Sequence, residues 1–458
     1  MLDLQQAAAV LNATVRGKNV TFSGVSSDTR TLNSGALFVA LKGEHFDGRE
    51  FLAQAKEKGA VAALVTEPQS ADTAGALAAP SDFPLLVVKD ARKSLGALAA
   101  YWRSRFNIPV VGVTGSNGKT TVKEMLANIL RKATGSPQSV LATRGNLNND
   151  IGVPLTLLEL RSQHRYAVIE MGMNHPREIA FLTSLAKPDV ALVNNVAPAH
   201  LEGLGSLEQA AYAKGEIFEG LSKNGVAVIN ADDEYADLWR KLCAGKRVLD
   251  FGLDHPAAVS GSCVLQVTGL EISVRADSGE MHISLRVAGL HNARNALAAA
   301  ACALALGVNR EAICAGLGVF TGVKGRTQRK PGKNGAVLID DTYNANPESV
   351  RAAIEVLRAE AGKKVLLLGD MGELGTQAPA LHMQIGKQAK EAGIDVLYTL
   401  GEFSADAARQ FGKGARHFTG IEELLGAAEK LLAPGVTVLV KGSRFMRMER
   451  IVERLAAE

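Results

Sequence analysis

The stretch Val110-Val111-Gly112-Val113-Thr114-Gly115-Ser116-Asn117-Gly118-Lys119-Thr120-Thr121 decides the reading of this chain. An apolar, β-branched run ends in two glycines, a lysine and two threonines, and a helix-compatible stretch, residues 122–132, follows. That order spells strand, tight loop and helix start, the layout that holds phosphate groups. Glycine carries no side chain, so backbone N–H groups can turn toward phosphate oxygens, and a helix N-terminus adds partial positive charge. Lys119 can reach the β/γ-phosphates of a nucleotide, and the Thr120 hydroxyl can ligate Mg²⁺. The common phosphate loop has four residues between its glycines. Here only Ser116 and Asn117 separate Gly115 from Gly118. A chance Gly-rich turn is the competing reading; the strand before, the helix after and the Lys-Thr pair argue against it.

Outward from this loop, the 458 residues allow several domains, at about 100–200 residues each. With 47% hydrophobic and 21% charged residues, the composition is that of a soluble globular protein with a sizeable core. A net charge of +4 suits anionic substrates and is too small to argue for a nucleic-acid partner. Cys243, Cys263, Cys302 and Cys314 are scattered, with no C-x-x-C pair, and read as thiols in a reducing cytosol. The start, Met1-Leu2-Asp3-Leu4, lacks the basic and apolar regions of a signal peptide. The longest apolar stretch, 296–306, is alanine-rich and reads as a packed helix; a bilayer span needs about 20 residues. The expectation is a cytoplasmic protein without membrane insertion.

Three regions follow from composition and pattern, with boundaries expected at 1–105, 106–325 and 326–458. The first is a small α/β unit, with strand candidates at 35–41 and 85–88 and, between them, a helical stretch at 50–58 followed by 61–65. Its Ala/Pro/Ser-rich piece, 71–81, reads as a loop. In the second, strand candidates at 110–113, 166–170, 190–194 and 226–230 alternate with helices. That alternation predicts a mostly parallel sheet covered on both faces, with ligands beyond the carboxyl ends of its strands. Glu170 ends one such run and the phosphate loop ends another, so both are expected at one crevice. The basic run 324–333 reads as a linker or exposed hairpin. Strand candidates at 337–340, 365–369, 396–400 and 436–441 then predict a second, Rossmann-like domain.

Mg²⁺ takes oxygen ligands, commonly one or two carboxylates beside phosphates. Thr120 and Glu170 can supply the protein part of such a site. His200, in Asn194-Asn195-Val196-Ala197-Pro198-Ala199-His200, and Lys214 stand out only by a resemblance. The chain resembles the Mur ligases, ATP-dependent amide-forming enzymes of peptidoglycan precursor synthesis, over essentially its whole length. The loop Gly115-Ser116-Asn117-Gly118-Lys119-Thr120-Thr121 is similar to that family's short phosphate loop, Glu170 to its metal-binding acid and His200 to its metal-site histidine. Lys214, in Ala213-Lys214-Gly215-Glu216, is similar to the lysine that becomes carbamylated and so supplies oxygens to a second Mg²⁺. The element Gly289-Leu290-His291-Asn292-Ala293-Arg294-Asn295 resembles one whose asparagines, here Asn292 and Asn295, lie at adenine. Unaided, it reads as a helix N-terminus with polar capping. Arg326 and Asp341 resemble residues that approach ATP from the domain junction and the third domain. Lys119, His200 and Lys214 are the catalytic expectation.

The resemblance also implies substrates. Glu170-Met171-Gly172-Met173-Asn174-His175-Pro176, Asp341-Thr342-Tyr343-Asn344-Ala345-Asn346-Pro347 and Lys441-Gly442-Ser443-Arg444 are similar to the member that adds D-alanyl-D-alanine to UDP-N-acetylmuramoyl-tripeptide. Arg177 departs from it, where relatives commonly carry Gly. The diaminopimelate- or lysine-adding sibling often has an Asp-Asn-Pro-Arg signature, absent from Tyr398-Thr399-Leu400-Gly401-Glu402. Ser27, Asp28, Arg30, Lys42, Gly43, Phe46, Asp47 and Gly48 resemble nucleotide-sugar loops, and Thr143, Asn146, Asn148 and Asn149 a central loop against the same substrate. Asn344 and Asn346 join this substrate set. The implied cofactors are ATP, Mg²⁺ at two sites and a carbamylated lysine, in a monomer with small-molecule substrates and no nucleic acid. The sibling ligase, a folylpolyglutamate synthetase and, in a different class, a nucleotide-switch protein remain the alternatives.

Overall fold

The computed structural model describes residues 1–44, 46–67, 80, 82–197, 204–266 and 269–457. Its three principal sheets follow one another along the chain, and the expected class holds: α/β, with a small N-terminal unit, a central mostly parallel sheet carrying the phosphate loop and a Rossmann-like C-terminal sheet. Of the expected loop at 71–81, only Pro80 lies within the described residues.

The first sheet has five strands in the order Thr14–Arg16, Leu85–Val88, Ala62–Thr66, Ala36–Val39 and Gly24–Ser26. All pair in parallel except Thr14–Arg16. The helical stretch is shorter than its pattern suggests, a 3₁₀ turn Gly48–Phe51 leading into Leu52–Glu57. Helix Ala91–Ser104 begins at Asp90, whose carboxylate accepts from the Arg92 and Lys93 N–H groups. It then docks on the central unit: Trp102 Nε1 donates to Leu160 O at 3.1 Å, and Arg103 Nε to Ala186 O at 3.0 Å.

The central sheet has nine strands, in the order Val140–Ala142, Tyr166–Glu170, Val110–Thr114, Val190–Val193, Val226–Asn230, Arg247–Gly252, Val259–Gln266, Gly269–Ala276 and Gly279–Leu285. The first seven run parallel and the last pairings are antiparallel. Val110–Thr114 is buried throughout because helices cover both faces. Lys119–Thr134 and the alanine-rich Leu290–Ala305 pack on one face, Glu178–Ala186 and Leu207–Gly215 on the other. The antiparallel strands instead alternate buried and exposed residues, with one face in water. After Tyr166–Glu170 the chain crosses Val110–Thr114 to add Val190–Val193 on its far side. The crevice at such a reversal of strand order is where an open parallel sheet takes its ligand.

The third sheet runs Gln328–Pro331, Val337–Asp341, Val436–Lys441, Lys363–Gly369, Val396–Leu400 and Ala415–Phe418. The basic run 324–333 is the first arm of a hairpin, since Gln328–Pro331 pairs antiparallel to Val337–Asp341. The other pairings are parallel, and Asp341 lies opposite Lys441 at the carboxyl ends of adjacent strands. Among the described residues, no helix is long and apolar enough to cross a membrane.

Candidate active site

A cleft of about 900 Å³ lies where the carboxyl ends of the central and third sheets face each other. Its floor is the phosphate loop. Gly118 stands at φ 78°, and a Cβ there would lie 2.3 Å from Asn295 Oδ1 and 2.6 Å from Asn194 Nδ2. Backbone geometry and crowding therefore both require glycine. Helix Lys119–Thr134 starts at Gly118 with no side-chain cap, so its first-turn N–H groups remain available for an anion. The loop itself contributes fewer donors than expected. Ser116 N donates to Asn195 O at 3.0 Å, and Asn117 N to Asn195 Oδ1 at 2.8 Å. Asn194 Nδ2 donates to both Asn117 O and Asn295 Oδ1 at 3.0 Å. These asparagines, from a strand end 77 residues further along and a helix 101 residues beyond that, fix the loop's shape.

Lys119 Nζ folds back onto the loop, donating to Gly115 O at 2.6 Å and Ser116 O at 3.2 Å. Desolvation lowers its pKa, with Glu170 opposing the shift and Arg326 adding to it. Arg326 arrives from the domain junction: its NH2 donates to Thr120 Oγ1 at 2.9 Å and its guanidinium lies 4.2 Å from the Tyr343 ring centre. Thr121 lies on the cleft wall. Asn346 Nδ2 donates to Asn117 Oδ1 at 2.8 Å, so the third domain touches the phosphate loop directly.

Glu170 ends its strand beside Val113 and is 1% exposed. Oε1 accepts from Asn148 Nδ2 at 2.8 Å, whereas Oε2 is buried without a hydrogen-bond partner among the described residues. A buried carboxylate oxygen left unpaired is costly, and it fits a cation bound in the cleft. The Thr120 hydroxyl retains acceptor capacity beside its bond from Arg326. No group of three or more His, Cys, Asp or Glu gathers among the described residues, so a cation here would rely on Glu170, Thr120 and the ligand's own oxygens.

Lys214 lies on the buried face of Leu207–Gly215 and is 3% exposed. Desolvation, then the nearby Lys119, push its amine well below the usual lysine range, against a smaller opposing effect of Asp233. Asp233 is itself raised by burial and accepts from Val196 N at 2.8 Å and Tyr235 N at 3.0 Å. A neutral amine is what carbamylation needs. His200 lies outside the described residues.

Asn292 and Asn295 sit in the first turns of Leu290–Ala305, buried beneath the loop. That helix starts at Gly289, so side-chain capping is absent there. Asp341 accepts from Lys441 Nζ at 2.6 Å and Thr327 N at 3.0 Å. Asn146, Asn148, Asn149, Asn344 and Asn346 line the cleft. Thr143 does not: it is 1% exposed, its hydroxyl accepts from Glu170 N at 2.9 Å and its carbonyl from Lys123 Nζ at 2.6 Å. It braces Glu170 from below, because both its polar groups are committed inside the protein.

Ser27, Asp28, Arg30, Lys42, Gly43, Phe46, Asp47 and Gly48 are not on the cleft wall. They follow the carboxyl ends of the paired strands Gly24–Ser26 and Ala36–Val39, which brings the two loops together. Asp28 pairs with Arg30 at 2.6 Å and Asp47 with Arg49 at 2.5 Å, while Phe46 is 57% exposed over Gly43. Arg177 adopts φ 70°, a conformation glycine takes without strain, with its guanidinium on Glu219. Residues not singled out from sequence include Asn194 and Asn195, which hold the loop, and Arg92, which reaches from the first domain to Asp150 at 2.7 Å. No local spacing announces them; their partners are far away in the chain.

Comparison with known families matches the Mur ligase family catalytic domain to residues 21–103, the Mur ligase middle domain to 113–303 and the Mur ligase glutamate ligase domain to 325–444. The UDP-N-acetylmuramoyl-tripeptide–D-alanyl-D-alanine ligase of Escherichia coli K12 is 43% identical over 456 residues, 99% of this chain and 98% of that one. The crystal structure of MurF from Acinetobacter baumannii superposes with a TM-score of 0.89 at 35% identity, covering 98% of this chain and 97% of its own. MurF ligase from Thermotoga maritima, solved in complex with ADP, gives 0.82 at 29% identity, covering 95% and 97%. This chain belongs to the Mur ligase family.

Proposed function

We propose that the chain is an ATP-dependent ligase joining D-alanyl-D-alanine to UDP-N-acetylmuramoyl-tripeptide, giving the pentapeptide, ADP and phosphate. Residues 1–105 bind the UDP-sugar, 106–325 bind ATP, and 326–458 complete the ATP and amine sites. The enzyme acts as a cytoplasmic monomer. One observation carries the reading: a helix N-terminus free of capping, a lysine and a buried carboxylate oxygen without a partner converge at the strand-order reversal. The full-length similarity to ligases of that name supports the substrate assignment.

A carboxylate is a poor electrophile because its oxygen is a poor leaving group. Transfer of the γ-phosphoryl group of ATP to the terminal carboxylate of the tripeptide cures this. Lys119 leaves its loop carbonyls to meet the β/γ-phosphates, and the first-turn N–H groups and Arg326 stabilise the charge that develops there. Thr120 and Glu170 would hold Mg²⁺, which would neutralise phosphate charge. Lys214, after its neutral amine adds CO₂ and loses a proton, would offer carboxylate oxygens with His200 to a second ion. The acceptor amine then attacks the acyl carbon, phosphate departs and the amine proton is lost. Asn292, Asn295 and Asp341 face the nucleotide, while the first-domain loops hold the uridine diphosphate. Asn346 bonds to Asn117 across the cleft, and closure of the third domain from that contact would exclude water from the reacting groups.

Phosphate release measured with each cosubstrate omitted tests the reading. It should require both the tripeptide and the dipeptide; release with ATP alone would make the chain a nucleotide switch. Lys214→Ala should be inactive and partly restored by added short carboxylates, and an active variant would remove Lys214 from the site.

A further inference from the structure

Lys119 and Lys123 lie four residues apart on helix Lys119–Thr134 and so share one of its faces. Lys119 meets the cleft. Lys123 sits one turn further along, 1% exposed and not on the cleft wall. A lysine that deep is rare unless it is paired, and its Nζ donates to Glu124 Oε1 and to Thr143 O, both at 2.6 Å. An apolar side chain of similar size would pack there without stripping water from a charge. What Lys123 adds is a tie from the phosphate-loop helix to the residue that follows strand Val140–Ala142.

From that point the bonds run on to the cleft. Thr143 N donates to Val168 O at 3.1 Å, continuing the pairing of its strand with Tyr166–Glu170, and its hydroxyl accepts from Glu170 N at 2.9 Å. Glu170 Oε1 accepts from Asn148 Nδ2 and Asn148 O from Gly172 N, each at 2.8 Å. The two segments approach closely, since a Cβ on Gly172 would lie 3.0 Å from Asn148 Cγ. Thr120 and Glu170, whose oxygens suit a cation, stand on different elements, and Mg²⁺ tolerates little error in the placing of its ligands. We infer that Lys123 is a positioning residue: by fixing Thr143 against the helix that carries Thr120, it sets the spacing of Thr120 and Glu170 that a divalent cation needs. The inference rests on the ligase reading above, in which that cation accompanies the nucleotide.

Mn²⁺ binding to the protein in the presence of β,γ-methylene-ATP, read by electron paramagnetic resonance, tests this without turnover. Lys123→Met should weaken Mn²⁺ binding about 10- to 100-fold, the usual cost of removing a support behind a metal ligand. Lys123→Arg, which keeps a donor for Thr143 O, should recover part of the loss. If Lys123→Met does not fold, Lys123→Gln carries the same expectation, because its amide ends short of Thr143 O. Glu124→Gln removes the other partner and leaves the tie to Thr143, so it should bind Mn²⁺ as wild type does, whatever its stability. In turnover, the Mg²⁺ concentration that gives half the maximal rate should rise with the loss of Lys123, and KM for the dipeptide should not change. Wild-type Mn²⁺ affinity in the folded Lys123 variants, or equal weakening by Glu124→Gln, overturns the positioning role alone. A wild type that binds no Mn²⁺ beside the nucleotide overturns the metal site of the ligase reading and this inference with it.

Discussion

Buried charges stand at the carboxyl ends of both large parallel sheets, and the two sheets treat them oppositely. In the third, each buried aspartate has partners: Asp340 has Lys330 and Thr342, Asp341 has Lys441, and Asp370 accepts from the N–H groups of Glu402 and Ser404. In the central sheet, Glu170 keeps one oxygen without a partner, and Lys214 is buried where its charge is disfavoured. Paired buried charge holds the fold, even where, as at Asp341, it also lines the cleft. Buried charge left incomplete is held for a ligand, and its cost is borne by the surrounding fold.

The contrast predicts opposite outcomes for removing a charge from each sheet. Glu170→Gln should lower kcat by about 10³-fold or more, on the scale of about 4 kcal/mol, while urea unfolding shows stability unchanged or raised. A large loss of stability would place Glu170 with the structural pairs. Lys441→Met should do the reverse to the fold, costing about 3–5 kcal/mol by leaving Asp341 buried and uncompensated. Pairing it with Asp341→Asn should return part of that loss in a double-mutant cycle.

A smaller effect sharpens the comparison at the loop. Gly118→Ala must accept a left-handed backbone and displace Asn295 or Asn194; we expect a cost of about 1–3 kcal/mol in thermal unfolding and a raised KM for ATP. The last effect is one of pH. Desolvation at the cleft wall lowers His291 to about 4 from 6.5, with Asp341 opposing and Lys441 and Arg294 assisting. Between those values the unfolded chain binds the proton and the folded chain does not, so stability falls as pH falls. The slope is at most about 1.4 kcal/mol per pH unit, and His291→Gln should flatten it in urea titrations between pH 6.5 and 4.

Four of the central parallel strands were legible because burial on both faces writes continuous apolar runs, whereas the short Val140–Ala142 and the half-exposed Arg247–Gly252 were not. Tyr166–Glu170 and Val226–Asn230 can be read to the residue. The antiparallel extension, Val259–Gln266 through Gly279–Leu285, was not: one face meets water, so its alternating pattern carries no apolar run. At the site, the phosphate loop and Glu170 were readable from local order. Asn194 was not, since its value lies in touching Asn117 and Asn295, partners brought close only by the finished fold. Thr143 shows the converse. Its neighbourhood pointed to substrate, yet its contacts lie inward beneath Glu170.

The central claim is that this cleft spends a nucleotide to make one amide bond. Mass spectrometry of the UDP-linked product, after incubation of the purified protein with ATP, Mg²⁺, UDP-N-acetylmuramoyl-tripeptide and D-alanyl-D-alanine, tests it most directly. The product should gain one dipeptide less one water, with one ADP formed per product. An unchanged mass, or the same gain with ATP left out, would contradict it.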